Sequence, residues 1–141
     1  MQTGFIGLGK MGGNMVKRLL QHGQEVVAFD LSPEAVDAAV AAGAGRAASL
    51  QELCGTLAAP RVIWMMVPAG RIVDTTITEL LPHLAAGDIL VDGGNSNWKD
   101  SRRRAEALKE KSITLIDCGT SGGVWGLTEG YCLMYRSEER R

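Results

Sequence analysis

One glycine-rich segment near the start constrains the fold of this chain most. The hexapeptide Gly-Leu-Gly-Lys-Met-Gly occupies positions 7–12, directly after the apolar run 3–6. Apolar residues then recur at helical spacing, at Met11, Met15, Val16, Leu19 and Leu20. A strand, a glycine turn and a helix in this succession are typical of the phosphate-binding start of a dinucleotide-binding βαβ unit. The alternative is a strand, turn and helix whose glycines are incidental.

Each glycine of the hexapeptide has a separate expected task. Gly7 allows the tight turn, Gly9 lets a pyrophosphate approach the backbone, and Gly12 lets the helix pack closely on the strand. The first N–H groups of the helix and the positive end of its dipole favour a phosphate there. The turn therefore predicts a cofactor site that also includes Leu8 and Lys10.

The remainder of the chain alternates between strand and helix patterns. Strands are expected at 25–29, 61–67, 88–91, 113–117 and 131–135, with a short edge strand at 45–48. Helices are expected after Ser32-Pro33 and Ser49, over 72–81, and from the cap Asn97 to residue 111. This alternation favours an α/β fold, a Rossmann-type doubly wound, mostly parallel sheet with helices on both faces. The run 61–67 is expected to be buried on both faces.

An acidic residue follows the second strand. Asp30 lies 18 residues after Gly12, where a carboxylate accepts hydrogen bonds from the adenosine ribose. The same charge repels a 2′-phosphate, so the sequence favours NAD over NADP. Two alternatives remain open: Asp30 as an ordinary turn residue, and Lys10 as a ligand of that phosphate.

Three further loops are expected at the same edge of the sheet, because ligands gather at the carboxyl ends of parallel strands. They are segments 67–70, 92–96 and 119–123. The Asn95 amide offers a donor and an acceptor to a substrate hydroxyl. Ser121 and the N–H groups of the two glycines after it are suited to a carboxylate. Ordinary turn chemistry is the alternative for each loop.

Composition excludes several classes of function. The net charge of −1 gives no footprint for nucleic acid or an anionic membrane, and no apolar run approaches the length of a membrane span. The three cysteines have neither metal spacing nor an even disulfide framework, so no metal is expected. A strand begins almost at Met1, which indicates no secretory signal. A cytoplasmic location follows as the simplest expectation.

Several conspicuous side chains are expected to be structural only. Arg102, Arg103 and Arg104 are taken as one solvated helix face. Trp98 and Trp125 are expected to pack rather than to line a pocket. Neither His22 nor His83 falls at a strand end, and Cys118 lacks a histidine partner, so none of these three is expected to act chemically. 

Four motifs together resemble the β-hydroxyacid dehydrogenase family. They are segments 7–12, 66–68, 92–96 and 121–123, and they are most similar to decarboxylating 6-phosphogluconate dehydrogenases. The stretch 117–126 resembles the shorter, NAD-preferring bacterial branch, although the wider family often holds Pro and Val at positions 119 and 120. The resemblance extends from Met1 to about Met134.

The resemblance implies oxidation of 6-phosphogluconate by hydride transfer to the nicotinamide, then decarboxylation to ribulose 5-phosphate. It also implies that full-length members form homo-oligomers. The residues implied to bind substrate are Asn95, Ser121, Gly122 and Gly123. Those implied to lie along the cofactor are Gly7, Leu8, Gly9, Lys10, Met11, Gly12, Asp30, Val67, Pro68, Ala69 and Asn95.

The end of the chain departs from this pattern. Residues 1–134 are expected to form the NAD(P)-binding domain, and 135–141 a non-matching polar tail. The family's helical domain, which supplies its catalytic lysine and acidic partner, is expected to be absent. The chain alone is therefore expected to be inactive. A 3-hydroxyisobutyrate-type dehydrogenase domain and a non-catalytic dinucleotide-binding remnant are the alternatives.

Overall fold

The computed structural model describes residues 2–136. Strands and helices alternate along the chain, as the sequence predicts. The strands are β1 (Gln2–Ile6), β2 (Glu25–Phe29), β3 (Gly45–Arg46), β4 (Val62–Met65), β5 (Ile89–Asp92), β6 (Thr114–Ser121) and β7 (Cys132–Arg136). The α-helices are α1 (Lys10–Gln21), α2 (Pro33–Ala41), α3 (Leu50–Thr56), α4 (Arg71–Leu80), α5 (Trp98–Lys109) and α6 (Gly126–Glu129), with short 3-10 segments at Leu81–His83 and Gly123–Trp125.

All the strands form one sheet in the order β3-β2-β1-β4-β5-β6-β7. The first six are parallel, and β7 pairs antiparallel to β6. The strand order reverses between β1 and β4, which places a crevice above the carboxyl end of β1. The glycine turn follows β1, so it lies at that crevice.

Helices cover both faces of the sheet, which confirms the doubly wound prediction. On one face, α1 and α2 pack against Phe5, Val26 and Ala28. On the other face, the apolar sides of α3, α4 and α5 pack against Ile63, Leu90 and other inward-facing strand residues. This two-sided core fixes the strand ends on which the loops of the site are carried.

Local signals at the helix ends agree with the sequence. The Ser32 hydroxyl accepts a hydrogen bond from Ala35 N (3.3 Å) at the start of α2. At α3, the Ser49 hydroxyl accepts from Glu52 N (3.0 Å). The Glu52 carboxylate accepts in return from Ala48 N (2.7 Å), one residue before the N-cap. These bonds satisfy backbone donors that a helix start leaves free.

Two strands differ from their predicted bounds. The central strand β4 is shorter than 61–67. Ile63 and Met65 are buried whereas Val62 and Trp64 are partly exposed, so the predicted burial is complete on one face and partial on the other. Strand β6 is longer than predicted and includes residues 119–121, which the sequence assigned to a loop. The returning strand β7 supplies ladder partners for these residues, down to the pair Ser121 and Cys132. A long-range pairing of this kind has no local sequence signal.

Candidate functional site

The glycine turn has the close packing that the sequence predicts. Gly7 has φ of +91°, and its N–H donates to the Phe29 carbonyl oxygen (3.0 Å). A Cβ at Gly7 would overlap the Met66 carbonyl oxygen, and one at Gly12 would overlap the carbonyl oxygen of Gly7. Larger residues at either position would therefore push β1, β4 and α1 apart.

The turn leaves the start of α1 open to a ligand. A Cβ at Gly9 would meet nothing within 4 Å. Helix α1 begins at Lys10, has Gly9 as its N-cap without a side-chain capping bond, and carries no acidic residue in its first turn. The backbone donors and the positive end of the helix dipole therefore face the cleft without a competing carboxylate in that turn.

Asp30 ties the glycine turn to the end of β2. Its Oδ2 atom accepts a hydrogen bond from Leu8 N (2.6 Å), and its Oδ1 atom accepts from Ser32 N (2.8 Å). The Leu8 side chain is buried, so Leu8 contributes its backbone rather than its side chain to the site. Each carboxylate oxygen has a second lone pair, which leaves capacity for a ligand hydroxyl.

A cleft of about 920 Å³ follows these elements along the carboxyl edge of the sheet. Most of the predicted cofactor residues line it: Gly7, Gly9, Lys10, Met11, Gly12, Asp30, Val67, Pro68 and Asn95. The lining of this cleft does not include Ala69, whose side chain is exposed. It does include five residues of α4 that the sequence did not predict, namely Arg71, Ile72, Thr75, Thr76 and Glu79.

The turn after β5 forms the far wall of the cleft. Asn95 has φ of +57°, and its Oδ1 atom accepts from Thr120 N (3.3 Å) at the end of β6. A Cβ at Gly94 would overlap the Val67 carbonyl oxygen, so this turn packs directly on the segment after β4. The turn after β5 thus contacts both the segment after β4 and the last residues of β6.

The Ser121–Gly123 segment lies at the same edge but does not line this cleft. The Tyr131 ring packs under it: a Cβ at Gly126 would overlap that ring. Arg18 of α1 holds the following α6 segment by donating to the carbonyl oxygens of Leu127 (2.9 Å) and Thr128 (3.2 Å). The prediction that Trp98 and Trp125 pack is wrong, since they are 57% and 71% exposed.

Arg104 is not a solvated residue, which corrects the expectation for the basic stretch of α5. It is 3% exposed, and it lies one helical turn before the buried Leu108. That i, i+4 spacing from an apolar position is the signal that would have placed it inside. Hydrogen bonds from Arg104 and then Arg103 hold the pKa of Asp74 below its usual range.

Other candidate chemistry is limited. Burial raises the pKa of the Cys118 thiol, which disfavours a thiolate nucleophile at neutral pH. Within residues 2–136, no group of three or more His, Cys, Asp or Glu is placed to hold a metal ion. That same part of the chain contains no helix long and apolar enough to cross a membrane.

The strand order, the glycine turn and the carboxylate after β2 define a Rossmann-type dinucleotide-binding domain. The sequence matches the model of the NAD binding domain of 6-phosphogluconate dehydrogenase over residues 2–140. The chain belongs to this family.

Comparisons with individual proteins agree with the family. The chain is 54% identical over 134 residues to the NAD(+)-dependent, decarboxylating 6-phosphogluconate dehydrogenase of Haloferax volcanii, covering 95% of this chain and 44% of that protein. The Plasmodium falciparum 6-phosphogluconate dehydrogenase superposes with a TM-score of 0.88 at 29% identity, over 96% of this chain and 30% of that one. The 3-hydroxyisobutyrate dehydrogenase of Mycobacterium tuberculosis also superposes with a TM-score of 0.88, at 27% identity. The match covers 98% of this chain and 47% of that one. The chain thus spans less than half the length of each of these relatives.

Proposed function

We propose that this chain is the cofactor domain of an NAD-linked oxidoreductase that oxidatively decarboxylates 6-phosphogluconate to ribulose 5-phosphate. The observation that carries the cofactor proposal is Asp30. Its carboxylate is fixed by Leu8 N and Ser32 N at the end of β2 and lines the cleft. A fixed negative charge there favours the two hydroxyls of an unphosphorylated ribose and disfavours a 2′-phosphate.

The residues present fit such a cofactor. The open space at Gly9 and the uncapped start of α1 suit a pyrophosphate, with Met11 and Gly12 in the first turn behind it. Val67 and Pro68 would lie beside the cofactor, with Ala69 outside the cleft lining, and Asn95 would face its nicotinamide half. When bound, the nicotinamide ring accepts the hydride that the substrate loses.

The substrate half of the proposal rests on the loops after β5 and β6. Asn95, Ser121 and the two glycines that follow it, Gly122 and Gly123, would bind the sugar acid. The side-chain oxygen of Asn95, Oδ1, already accepts a hydrogen bond from Thr120 N. The side-chain NH₂ group of Asn95 therefore remains to donate to a substrate oxygen. The N–H groups after Ser121 would bind a carboxylate.

A 3-hydroxyisobutyrate-type activity is the second candidate, favoured by the likeness to the Mycobacterium tuberculosis enzyme. Titration of the chain, saturated with NADH, with 6-phosphogluconate and with 3-hydroxyisobutyrate separates the two. We expect tighter binding of 6-phosphogluconate, weakened by Asn95→Ala and unchanged by Asn14→Ala on α1. Tighter binding of 3-hydroxyisobutyrate would overturn the proposed substrate.

NADP is the competing cofactor, because the cations Lys10 and Arg71 line the same cleft as Asp30. A relative whose structure was determined with NADP+, the Plasmodium enzyme, gives this alternative weight. Both cations are solvated, whereas the Asp30 carboxylate is held by two backbone N–H groups. The fixed charge therefore favours NAD.

The proposed setting is the cytoplasm. Cys54 and Cys118 are buried free thiols, and Cys132 is a free thiol at the surface. Unpaired cysteines in this arrangement are typical of a reducing compartment.

A further inference from the structure

We infer that Arg104 is a positioning residue for the nicotinamide half of the cleft. It fixes the relative positions of the two walls of that half, the start of α4 and the turn after β5. This inference rests on the proposed dinucleotide function. Arg104 does not line the cleft. It acts from behind, through the start of α4 on one side and the turn after β5 on the other.

The Arg104 guanidinium joins segments that are distant in the sequence. Its Nε atom donates to Asp74 Oδ1 (2.8 Å), and its Nη2 atom donates to the Gly70 carbonyl oxygen (2.9 Å) at the start of α4. Its Nη1 atom donates to Ser96 Oγ (3.3 Å) after β5 and lies 3.6 Å from Asp92 Oδ2. A rigid planar fork can hold these partners at one time, which a lysine ammonium cannot do.

Burial makes this network stiff. Arg104 is 3% exposed and Asp92 is fully buried, while Asp74 is partly exposed. A buried charge persists only when its partners and hydrogen bonds are in place, because removing one partner leaves the other unpaired. The geometry of Arg104 is therefore tied to the geometry of both walls.

The network continues to Asn95 through Asp92. Ser96 Oγ donates to Asp92 Oδ2 (2.5 Å), and Asp92 Oδ1 accepts from Gly94 N (3.0 Å). Asn95, the next residue, has a left-handed backbone, which asparagine adopts more readily than other non-glycine residues but which the hydrogen bonds of the turn have to hold in one place. Arg104 and Asp92 supply that constraint from behind the turn.

The glycine-turn wall of the adenosine half has its own support, although α4, which Arg104 holds, also lines the cleft. The glycine turn is held by Phe29 and Asp30, and none of the contacts described for Arg104 reaches that region. Loss of Arg104 should therefore weaken ligands that use the nicotinamide half more than ligands that stop at the second ribose. A residue needed only for folding would weaken both kinds equally.

The test compares the affinities of the 141-residue chain for NADH and for ADP-ribose. For Arg104→Met we expect NADH affinity to fall about tenfold, as for loss of hydrogen bonds from a charged group. ADP-ribose affinity should fall by no more than about threefold, since the glycine turn and Asp30 are untouched and only the α4 wall is loosened. The fluorescence enhancement of bound NADH, which reports the environment of the nicotinamide, should fall in parallel.

Two further variants control the result. Arg102→Met removes the same charge from the exposed face of α5 and should change neither affinity. Arg104→Lys should bind NADH more tightly than Arg104→Met but more weakly than wild type, because one ammonium group cannot bond Gly70 and Ser96 at the same time. If Arg104→Met does not fold, Ser96→Ala decides, because it removes the hydroxyl that bridges Arg104 and Asp92 but keeps the direct ion pair, so neither buried charge loses its partner.

The outcomes separate this inference from the proposed function. Selective loss of NADH affinity in Arg104→Met, or in Ser96→Ala where that variant decides, supports the positioning role. Equal loss of both ligands, or no loss, overturns it while the proposed function stands. Wild-type protein that binds neither NADH nor ADP-ribose overturns the proposed function itself.

Discussion

Asp30 has both a structural role and a proposed role in cofactor selection. It stabilises the glycine turn through Leu8 N and, in the proposed function, it selects the ribose of the cofactor. A substitution made only to change cofactor preference would also loosen the turn. The effect of Asp30 on affinity and its effect on selectivity therefore have to be measured together.

We expect Asp30→Asn to lower NAD affinity about tenfold, because the amide keeps one oxygen acceptor but loses the charge and the second acceptor. NADP affinity should fall less or rise, since the repulsion of its 2′-phosphate is removed. Calorimetric titration with each nucleotide measures the ratio of NAD affinity to NADP affinity. Asp37→Asn, at an exposed site on α2, should leave it unchanged. An unaltered ratio in Asp30→Asn would remove the carboxylate from the account of selectivity.

Asp88 is a buried carboxylate that contributes to the acid stability of the domain. It is fully buried and accepts hydrogen bonds from Arg61 N (2.7 Å), Arg61 Nη1 (2.9 Å) and Ala85 N (2.8 Å). Burial alone would raise the pKa of Asp88, but these hydrogen bonds and the Arg61 charge hold that pKa below its usual range. The ionised form is thus favoured by folding.

For Asp88→Asn we expect the free energy of unfolding at neutral pH to fall by about 3 kcal/mol, because Arg61 loses its buried partner. The folded pKa lies below the unfolded one. The stabilisation is therefore complete above the unfolded pKa of about 3.9 and is lost as pH falls through the folded pKa. Urea denaturation between neutral and acid pH should show the two proteins converging in acid. A difference that persists in acid, or one shared by Glu110→Gln, would contradict this assignment.

Among the elements, α1 has a structural role at both ends. Its first turn faces the cleft, and Arg18 near its last turn holds the backbone of α6. Helix α6 has only four residues, too few to be stable alone, so its position depends on such tertiary contacts. Helix α1 thereby links the glycine turn to the segment after Ser121.

We expect Arg18→Met to release α6 without unfolding the domain. Amide hydrogen exchange at Gly130, whose N–H donates to the Gly126 carbonyl oxygen (3.1 Å), should become at least about tenfold faster, while amides in β1 keep their protection. Lys17→Met, at the exposed neighbouring position of α1, provides the matched control. Unchanged exchange at Gly130 would mean that the Tyr131 ring, rather than Arg18, holds this segment.

At the scale of the whole molecule, the proposed reaction needs more than the described residues provide. No histidine lines the cleft in the part of the chain that the structure describes, and Lys10, which lines it, lies at the glycine turn where a phosphate is expected. The relatives are more than twice as long as this chain. Cofactor binding and turnover are therefore separate properties, which separate experiments have to measure.

We expect the purified 141-residue chain to bind nucleotide but to give no steady-state reduction of NAD with 6-phosphogluconate. Absorbance at the NADH band measures turnover, and Asp30→Asn shows whether any residual signal arises in this cleft. With NAD below its dissociation constant, turnover that falls about tenfold in Asp30→Asn would show that the chain contains its own general base. Turnover equal in both proteins would indicate a contaminating enzyme.

The fold and the positions of the glycine turn and of Asp30 could be predicted because their signals are local. Gly7, Gly12 and Asp30 lie within one βαβ unit, where spacing alone determines which strand end each residue reaches. The supports of the far wall could not be predicted in the same way. Arg104 finds its partners in α4 and in two strand-end turns, and the extension of β6 depends on β7. Such contacts follow from tertiary packing, which leaves little trace in a local pattern.

The most direct test of the central claim is a calorimetric titration of the wild-type chain with NAD and, separately, with NADP. We expect both nucleotides to bind at one site per chain. NAD should bind at least about tenfold more tightly than NADP, since a fixed carboxylate at the ribose disfavours a 2′-phosphate. Tighter binding of NADP would contradict the role of Asp30 and assign the phosphate to Lys10 or Arg71. Binding of neither nucleotide, by protein whose circular dichroism shows this α/β fold, would contradict the cofactor site itself.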